Sequence, residues 1–230
     1  MFAFVAVSAI DALSDSSGAT SVTVDKPAGT VDGDVMFALV KQGVDEALTA
    51  TGWTLLLSDV NGSSSVKHSL LRKVASSEGA SYPFSWATST RGGASIWTYR
   101  DGFDSGAPVD VSSNTSYETN DTIVQAASMT VTAVNSPLLF FQMQHASSNQ
   151  SFTPPTSPTG WVEDGGDQQD TSSRFMRTCS SLLWSSSGAT GVVEGATATT
   201  QAKHAFMVAF TPGAGGVQHD PFVTVLFRAA

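Results

Sequence analysis

The feature that most constrains the fold of this chain is a set of short sequence matches at one spacing. The matched pairs are residues 22–24 with 129–131, residues 52–53 with 160–161, and residues 76–80 with 185–189. The offsets are 107, 108 and 109 residues, and the matches follow the same order along the chain. Self-similarity at a fixed spacing indicates a duplicated structural unit. Because the matched pieces are strand-like and turn-like and carry no reactive side chains, they indicate a repeated β unit.

Strand patterns run along the whole chain. Residues 35–40 are apolar on both faces, which predicts a central strand covered from two sides. Further strand patterns fall at residues 2–10, 21–24, 53–57, 67–75, 82–87, 95–100, 123–134, 138–144, 174–183, 191–195 and 204–210. Only residues 43–50 offer a helical turn or two. We therefore predict an all-β fold, a two-sheet antiparallel β-sandwich of jelly-roll-like type built from two sequence-similar halves.

The 230 residues fit one all-β domain, since such sandwiches run to about 200–250 residues. We expect a single β-sandwich domain over residues 1–212, with pseudo-repeats at about 20–104 and 125–212 that share one core. Residues 101–108, with the polar stretch 112–121 that follows them, and residues 147–158 are expected to be loops. Residues 213–230 are expected to form a C-terminal arm, a glycine hinge followed by a strand, which either reaches a neighbouring subunit or folds back onto its own sheet.

Composition excludes several classes of function. Eleven basic and 20 acidic residues give a formal charge of −9, which argues against nucleic acid as a partner, because its binding needs clustered Lys and Arg. The N-terminal segment is apolar but lacks a basic n-region, so we expect no cleaved signal peptide, and no run is long enough to span a membrane. The single cysteine, Cys179, excludes an internal disulfide and is expected to be buried and inert.

Five motifs carry a resemblance to a known family. They are KPAGTVDGDVMFA at residues 26–38, GW at 52–53, RKVASSEGASY at 72–82, YRDGFD at 99–104 and PVD at 108–110. With these motifs the chain resembles a family of repeat-containing β-sandwich proteins of tailed-phage structural genes and bacterial surfaces, over residues 20–212. The resemblance implies a structural role in a virion or on a surface, and it supplies no catalytic residues. The first strand and the arm lie outside the family pattern.

Candidate sites for chemistry are few. The four histidines, His68, His145, His204 and His219, show no metal-ligand spacing. The acidic stretch 163–170 is the best candidate for a calcium site, because the glycines at 165 and 166 permit a tight loop around oxygen ligands. The alternative is a solvated hairpin loop, which we favour. No G-x-S-x-G elbow or phosphate-binding loop occurs. We therefore predict no enzyme activity, no cofactor and no metal.

The five tryptophans admit two interpretations. Trp53, Trp86, Trp97, Trp161 and Trp184 would form a sugar-stacking platform if several of them were exposed. Trp53 and Trp161, however, each follow a glycine at matching positions of the repeats, which a shared packing role explains more simply.

These observations lead to one functional hypothesis and one alternative. The hypothesis is a non-enzymatic tailed-phage virion protein, made in the host cytoplasm and displayed on the virion surface as a capsid decoration protein, or else placed in the tail or fibre. Its partners would be the major capsid protein or tail proteins and further copies of itself, with no nucleic acid and no membrane. The partner-binding candidates are Phe2, Phe4, Phe222, Val223, Val225, Leu226 and Phe227. The alternative is a carbohydrate-binding β-sandwich adhesion module, whose partner would be a glycan.

Overall fold

The computed structural model describes residues 2–13, 18–60, 66–117, 122–146, 148–170 and 174–213. Every regular element in these ranges is a β-strand, and neighbouring strands are antiparallel, so the all-β prediction is confirmed. The described part of the chain contains no helix that could cross a membrane.

The described residues form nineteen strands. The first eight are β1 (Ala3–Val7), β2 (Asp11–Leu13), β3 (Ala19–Asp25), β4 (Val35–Gln42), β5 (Thr54–Val60), β6 (Lys67–Val74), β7 (Ser81–Thr90) and β8 (Gly92–Arg100). The next seven are β9 (Val109–Tyr117), β10 (Ile123–Ala126), β11 (Thr130–Val131), β12 (Ser136–Gln144), β13 (Phe152–Thr153), β14 (Val162–Glu163) and β15 (Gln168–Asp170). The last four are β16 (Phe175–Trp184), β17 (Gly188–Ala189), β18 (Val193–Thr197) and β19 (Lys203–Phe210).

Two six-stranded sheets form the centre of the molecule, and their strand orders correspond. The first sheet has the order β1-β8-β4-β6-β5, with β2 also paired to β8. The second has the order β9-β19-β12-β16-β14, with β15 also paired to β16. In both sheets the strand that opens a half of the chain pairs with the strand that closes it. The central strands β4 and β12 are buried at every position, as expected for strands that are apolar on both faces.

Smaller sheets cover the outer faces of the two large ones. In the first half, β3 pairs with β7. In the second half, β10, β18 and β13 form a three-stranded sheet, and β11 pairs with β17. The described chain therefore has four β layers in the order small, large, large and small.

Three hydrophobic cores fill the spaces between these layers. The central core lies between the two large sheets and contains Phe37 and Trp97 from the first and Phe141 and Phe206 from the second. A second core lies between the first large sheet and the β3–β7 pair. A third lies between the second large sheet and its covering strands. Each half thus has a core of its own in addition to the core that the halves share.

The repeated Gly-Trp pair packs in the same way in both halves. Gly52 and Gly160 both have positive φ values, 78° and 103°, which glycine adopts at little cost. Each directs the following tryptophan onto the core of its own half, Trp53 onto the second core and Trp161 onto the third. The Trp161 ring centroid lies 6.0 Å from that of Phe140.

Two of the loop and helix expectations are wrong. The stretch 112–121 was expected to be a loop, but residues up to 117 belong to β9, which pairs with β19. The polar Ser and Asn side chains of this stretch gave no strand pattern, although its backbone pairs with β19. Residues 43–50 form no helical turn, because Thr49 bridges to Ser85 instead. Within 147–158, only residues 152–153 form a strand, and residue 147 lies outside the described ranges.

Candidate functional site

A buried polar network joins the two large sheets immediately after β14. Its centre is Asp164, which is 4% exposed. Its Oδ2 accepts a 2.9 Å hydrogen bond from the Tyr99 hydroxyl, and its Oδ1 accepts one of 3.1 Å from Ser181. Its backbone N–H donates to the Cys179 carbonyl, and its carbonyl accepts from the Trp97 indole N–H. One residue therefore links β8 of the first sheet to β16 of the second. We call these five residues the Asp164 network.

Burial sets the protonation of this network. It raises the pKa of Asp164 to about 6, although the hydrogen bonds from Tyr99 and Ser181 lower it in part. Burial, reinforced by Cys179 and Asp164, holds the pKa of Tyr99 well above its usual range. Burial and the Asp164 carboxyl likewise raise the pKa of the Cys179 thiol. A protonated, buried thiol is a poor nucleophile, so this arrangement favours a structural link over catalysis.

A second buried group consists of basic side chains at one end of the central core. Lys41, His68, Arg177 and His204 are at most 1% exposed. Each lies two residues along its strand from a member of the central core, so all four occupy the strand faces between the large sheets. The ring centroids of His68 and His204 are 4.5 Å apart, which brings β6 of one sheet against β19 of the other. We call these four residues the interior basic cluster.

His68 lies in an environment that disfavours its charged form. No ring nitrogen of His68 or His204 has a hydrogen-bond partner among the described residues. Burial, followed by the neighbouring His204, Lys41 and His145, holds the pKa of His68 well below its usual value. The Asp59 carboxylate lies 3.7 Å from His204 Nδ1, which is an ion-pair distance rather than a hydrogen bond.

In the acidic stretch 163–170, Glu163 and Asp167 lie near each other, and each described carboxylate also accepts a hydrogen bond from another part of the chain. Asp164 points into the network described above, whereas Glu163 accepts a 2.8 Å hydrogen bond from Thr178. Asp167 accepts one of 3.1 Å from the backbone N–H of Phe152, and burial raises its pKa to about 6. No group of three or more His, Cys, Asp or Glu side chains suited to a metal occurs in the part of the chain that the structure describes. The described carboxylates of this stretch are therefore engaged in tying loops and strands together.

The candidate partner-binding residues fall in two places. Phe2 and Phe4 pack against the central core, and the Phe2 ring stacks on Tyr99 at 5.2 Å and meets Phe210 at 5.0 Å. The strand β1 adds to its own sheet by pairing with β8. The apolar residues of the C-terminal arm, Phe222, Val223, Val225, Leu226 and Phe227, lie outside the described residues.

None of the five tryptophans, all of which lie in described ranges, is an exposed side chain. Trp86 is 5% exposed and Trp97 is fully buried. Trp53, Trp161 and Trp184 are half-buried, and their indole N–H groups are buried without a hydrogen-bond partner. Their edges therefore cannot donate to a sugar hydroxyl without a rearrangement, which favours the packing interpretation of these residues.

A shallow cavity of about 360 Å³ lies elsewhere, between the β1–β2 connection and the end of β3. Its lining includes Val7, Ile10, Thr23 and Pro27. Asp11, on its rim, already accepts a 2.6 Å hydrogen bond from the Thr23 backbone. The cavity shares no residue with the Asp164 network or the interior basic cluster.

Comparisons with known proteins add no identity. No protein-family model, no curated protein and no solved structure matches this chain. The resemblance to phage and surface β-sandwich proteins therefore remains a prediction from the sequence motifs.

Sequence reasoning missed both buried polar groups. The four histidines were treated as separate because they are far apart in the chain. One signal was available, since a Lys-His pair opens two strands at residues 67–68 and 203–204, each followed by apolar residues. A histidine at the start of a buried strand is placed at the end of the core, where it can meet another.

Proposed function

We propose that this chain is a non-enzymatic structural protein of a tailed-phage virion, placed on the capsid surface as a decoration (cement) protein. A tail or fibre position is the second choice. Its partners would be the major capsid protein or tail proteins, together with further copies of the chain. The proposal rests on the motif resemblance and on the construction of the β body.

The observation that carries the proposal is the stacking of three hydrophobic cores through four β layers. Such a body resists deformation, because close-packed interiors have few voids and low compressibility. The ionisable groups of its interior serve to link the layers: Asp164 joins β8 to β16, and the His68–His204 contact joins β6 to β19. A stiff body of this kind suits a protein that holds neighbouring capsid subunits together.

We also propose that the body arose by duplication of one module, with each half a reduced jelly roll. The corresponding strand orders of the two large sheets support duplication. The matching Gly-Trp geometry supports it independently. In the first half, the sheet order β1-β8-β4-β6 with β3–β7 opposite follows part of the eight-stranded jelly-roll pattern.

The proposed contact with the particle is adhesive. Because Phe2 and Phe4 already pack in the chain's own core, we place the contact on the C-terminal arm. Each large apolar side chain of the arm contributes roughly 1.5–3 kcal/mol if fully buried against a partner. Addition of the arm to a partner's sheet edge would supply backbone hydrogen bonds as well.

The direct test is to locate the chain on purified phage particles with an antibody and gold labelling in electron microscopy. Label over the capsid supports the first position, and label over the tail supports the second. Particles that lack the chain would overturn the virion role.

A deletion variant tests the arm separately. Removing residues 214–230 should reduce occupancy on the particle several-fold while leaving the thermal melting of the β body unchanged. The double substitution Phe222→Ser with Phe227→Ser should do the same, whereas Thr224→Ser serves as the matched control. Unchanged occupancy of the double variant would exclude the arm as the anchor.

The alternative, a carbohydrate-binding module, is favoured by no described feature beyond the low share of charged residues, which is 13% of the chain. Its test is a glycan array, with acrylamide quenching of tryptophan fluorescence in parallel. Specific glycan binding that quenches or protects Trp53 or Trp161 would support this alternative over the capsid role.

A further inference from the structure

We propose that the contact between His68 and His204 is an acid-sensitive latch, and that protonation of His68 opens the seam between β5 and β9. This inference concerns the β body itself and does not depend on the virion role.

The latch lies where the two large sheets meet without sharing backbone hydrogen bonds. β5 is the edge strand of the first sheet, β9 is the edge strand of the second, and the two run beside each other. At this seam Asp59 of β5 approaches His204 of β19, and the Asn114 side chain of β9 hydrogen-bonds to the Asp59 carboxylate. Opening the seam therefore separates few polar contacts and exposes the two imidazoles to water.

Besides His204, the charged and titratable groups around His68 lie on three strands and on the segment that follows β12. Lys41 on β4 is the cross-strand neighbour of His68, as is Asp59 on β5. Arg177 on β16 lies over the Phe175 ring, whose other neighbour is His68 at 6.0 Å between ring centroids. His145, which follows β12, also acts on His68. Lys41 and Arg177 are cations and Asp59 is an anion, so a proton added to His68 meets net repulsion.

The sign of the pH effect follows from this environment. Burial and the cationic neighbours lower the pKa of His68 in the closed state, whereas water restores its ordinary value of 6.5 in the open state. Below pH 6.5 the open state therefore binds an additional proton, and opening is favoured as the pH falls. For one proton, the ratio of open to closed molecules increases by up to about tenfold per pH unit, until the closed state also binds the proton.

Asp59 and Asp164, whose pKa values are also shifted, act in a different pH range or at a different place. Burial tends to raise the pKa of Asp59, but the contact with His204 lowers it overall, so Asp59 takes up a proton on opening only near or below pH 3.8. Asp164 belongs to the network that joins β8 to β16, and opening at β5 and β9 leaves that network in place. Between pH 6.5 and 5 the local effect is therefore expected from His68.

Hydrogen exchange of the full chain, followed by mass spectrometry and corrected for the intrinsic rate at each pH, tests the latch. In the wild-type protein, peptides from β5 and β9 should lose about tenfold in protection between pH 6 and pH 5, whereas peptides from β3 and β7 should keep theirs. Protection that is independent of pH at β5 and β9 would overturn the proposal. An equal loss in all strands would also overturn it, because it would indicate global unfolding.

Four variants separate a latch from general acid sensitivity. His68→Gln should abolish the pH dependence at β5 and β9, and His68→Asn provides a second route to the same result if His68→Gln folds poorly. Lys41→Met removes one repelling charge, so the loss of protection should level off at a higher pH. His219→Gln, the same change at a histidine outside the described residues, is the matched control, and it should retain the wild-type slope. If both His68→Gln and His68→Asn retain that slope, His68 does not operate the latch.

Discussion

The Tyr99 hydroxyl donates a 2.9 Å hydrogen bond to the Asp164 carboxylate, and this bond crosses from the first large sheet to the turn that borders the second. Both side chains are almost completely buried. In a low-dielectric interior such a bond is strong, and the loss of either partner leaves the other group unsatisfied. The pair therefore fixes how the two sheets sit against each other at the β14 side of the central core.

The substitution Tyr99→Phe tests this bond. It removes the hydroxyl and leaves one oxygen of Asp164 without its donor, at a cost of roughly 1–3 kcal/mol in the free energy of unfolding. Urea denaturation followed by circular dichroism measures the change. Ser181→Ala removes the donor to the other oxygen and should cost less, because Ser181 is only half-buried. A loss below 0.5 kcal/mol for Tyr99→Phe would show that the bond contributes little.

The pH dependence of stability tests the protonation of Asp164. Its pKa is raised to about 6 in the folded chain from 3.8, so its contribution is fully present below pH 3.8 and is lost as the pH rises through 6. Asp164→Asn removes the titrating carboxyl group, and with it this loss of folding stability at higher pH. Relative to the wild type, the variant should therefore gain about 1–3 kcal/mol between pH 4 and pH 7.

A plot of the unfolding free energy of the wild type against pH would not by itself show the contribution of Asp164. Burial and nearby cations lower the pKa of His145 to about 4, so His145 stabilises the fold above pH 6.5 and this stability is lost as the pH falls. The two slopes oppose each other, which is why the variant is compared with the wild type at each pH. Asp25→Asn, at an exposed position on β3, is the matched control and should show the same difference at both pH values.

The strands that could be predicted from the sequence are those whose apolar pattern is unambiguous. Residues 35–40 are apolar throughout, and they form the core of β4, which is buried on both faces. β9 was missed because residues 112–116 in its second half are Ser, Asn and Thr, and its place is fixed by backbone pairing with β19. An edge strand held by its backbone leaves little trace in side-chain patterning. The extra cores of the two halves were missed as well, because strand patterns do not show which strands pair into a separate covering sheet.

The sites escaped prediction because they depend on register and topology. Asp164 lies within an acidic run that looks solvated, yet its neighbour Glu163 points outward while Asp164 points into the core. Only the pairing of the two-residue strand β14 with β16 decides which carboxylate is buried. The His68–His204 contact likewise requires the two sheets to pack face to face. Local sequence does not determine that arrangement.

The reactivity of Cys179 reports on the integrity of the central core. The thiol is fully buried, and burial followed by the nearby Asp164 raises its pKa, so the native chain should resist thiol reagents. In the native state, labelling by a chromogenic disulfide should proceed at the rate of unfolding and accelerate with urea. Because Cys179 is the only cysteine, the assay has one signal.

The variant Cys179→Ala with Ser185→Cys, which moves the thiol to an exposed position, should be labelled within the mixing time. Equally fast labelling of the wild type would contradict the packing described for β16.

The two glycines after Asp164 provide a paired test of how closely β1 approaches the second sheet. Both have positive φ values, 86° at Gly165 and 72° at Gly166, so alanine costs roughly 1–2 kcal/mol of backbone strain at either position. They differ in their surroundings. A Cβ at Gly165 would lie 2.5 Å from Val7 Cγ1, whereas a Cβ at Gly166 would have no atom within 4 Å.

Gly165→Ala should therefore destabilise the fold by about 1–3 kcal/mol more than Gly166→Ala, because the added methyl overpacks the contact. Val7→Ala in the Gly165→Ala background should recover part of that difference, as measured by urea denaturation. Equal effects of the two alanine substitutions would mean that β1 does not pack against the β14–β15 turn in solution.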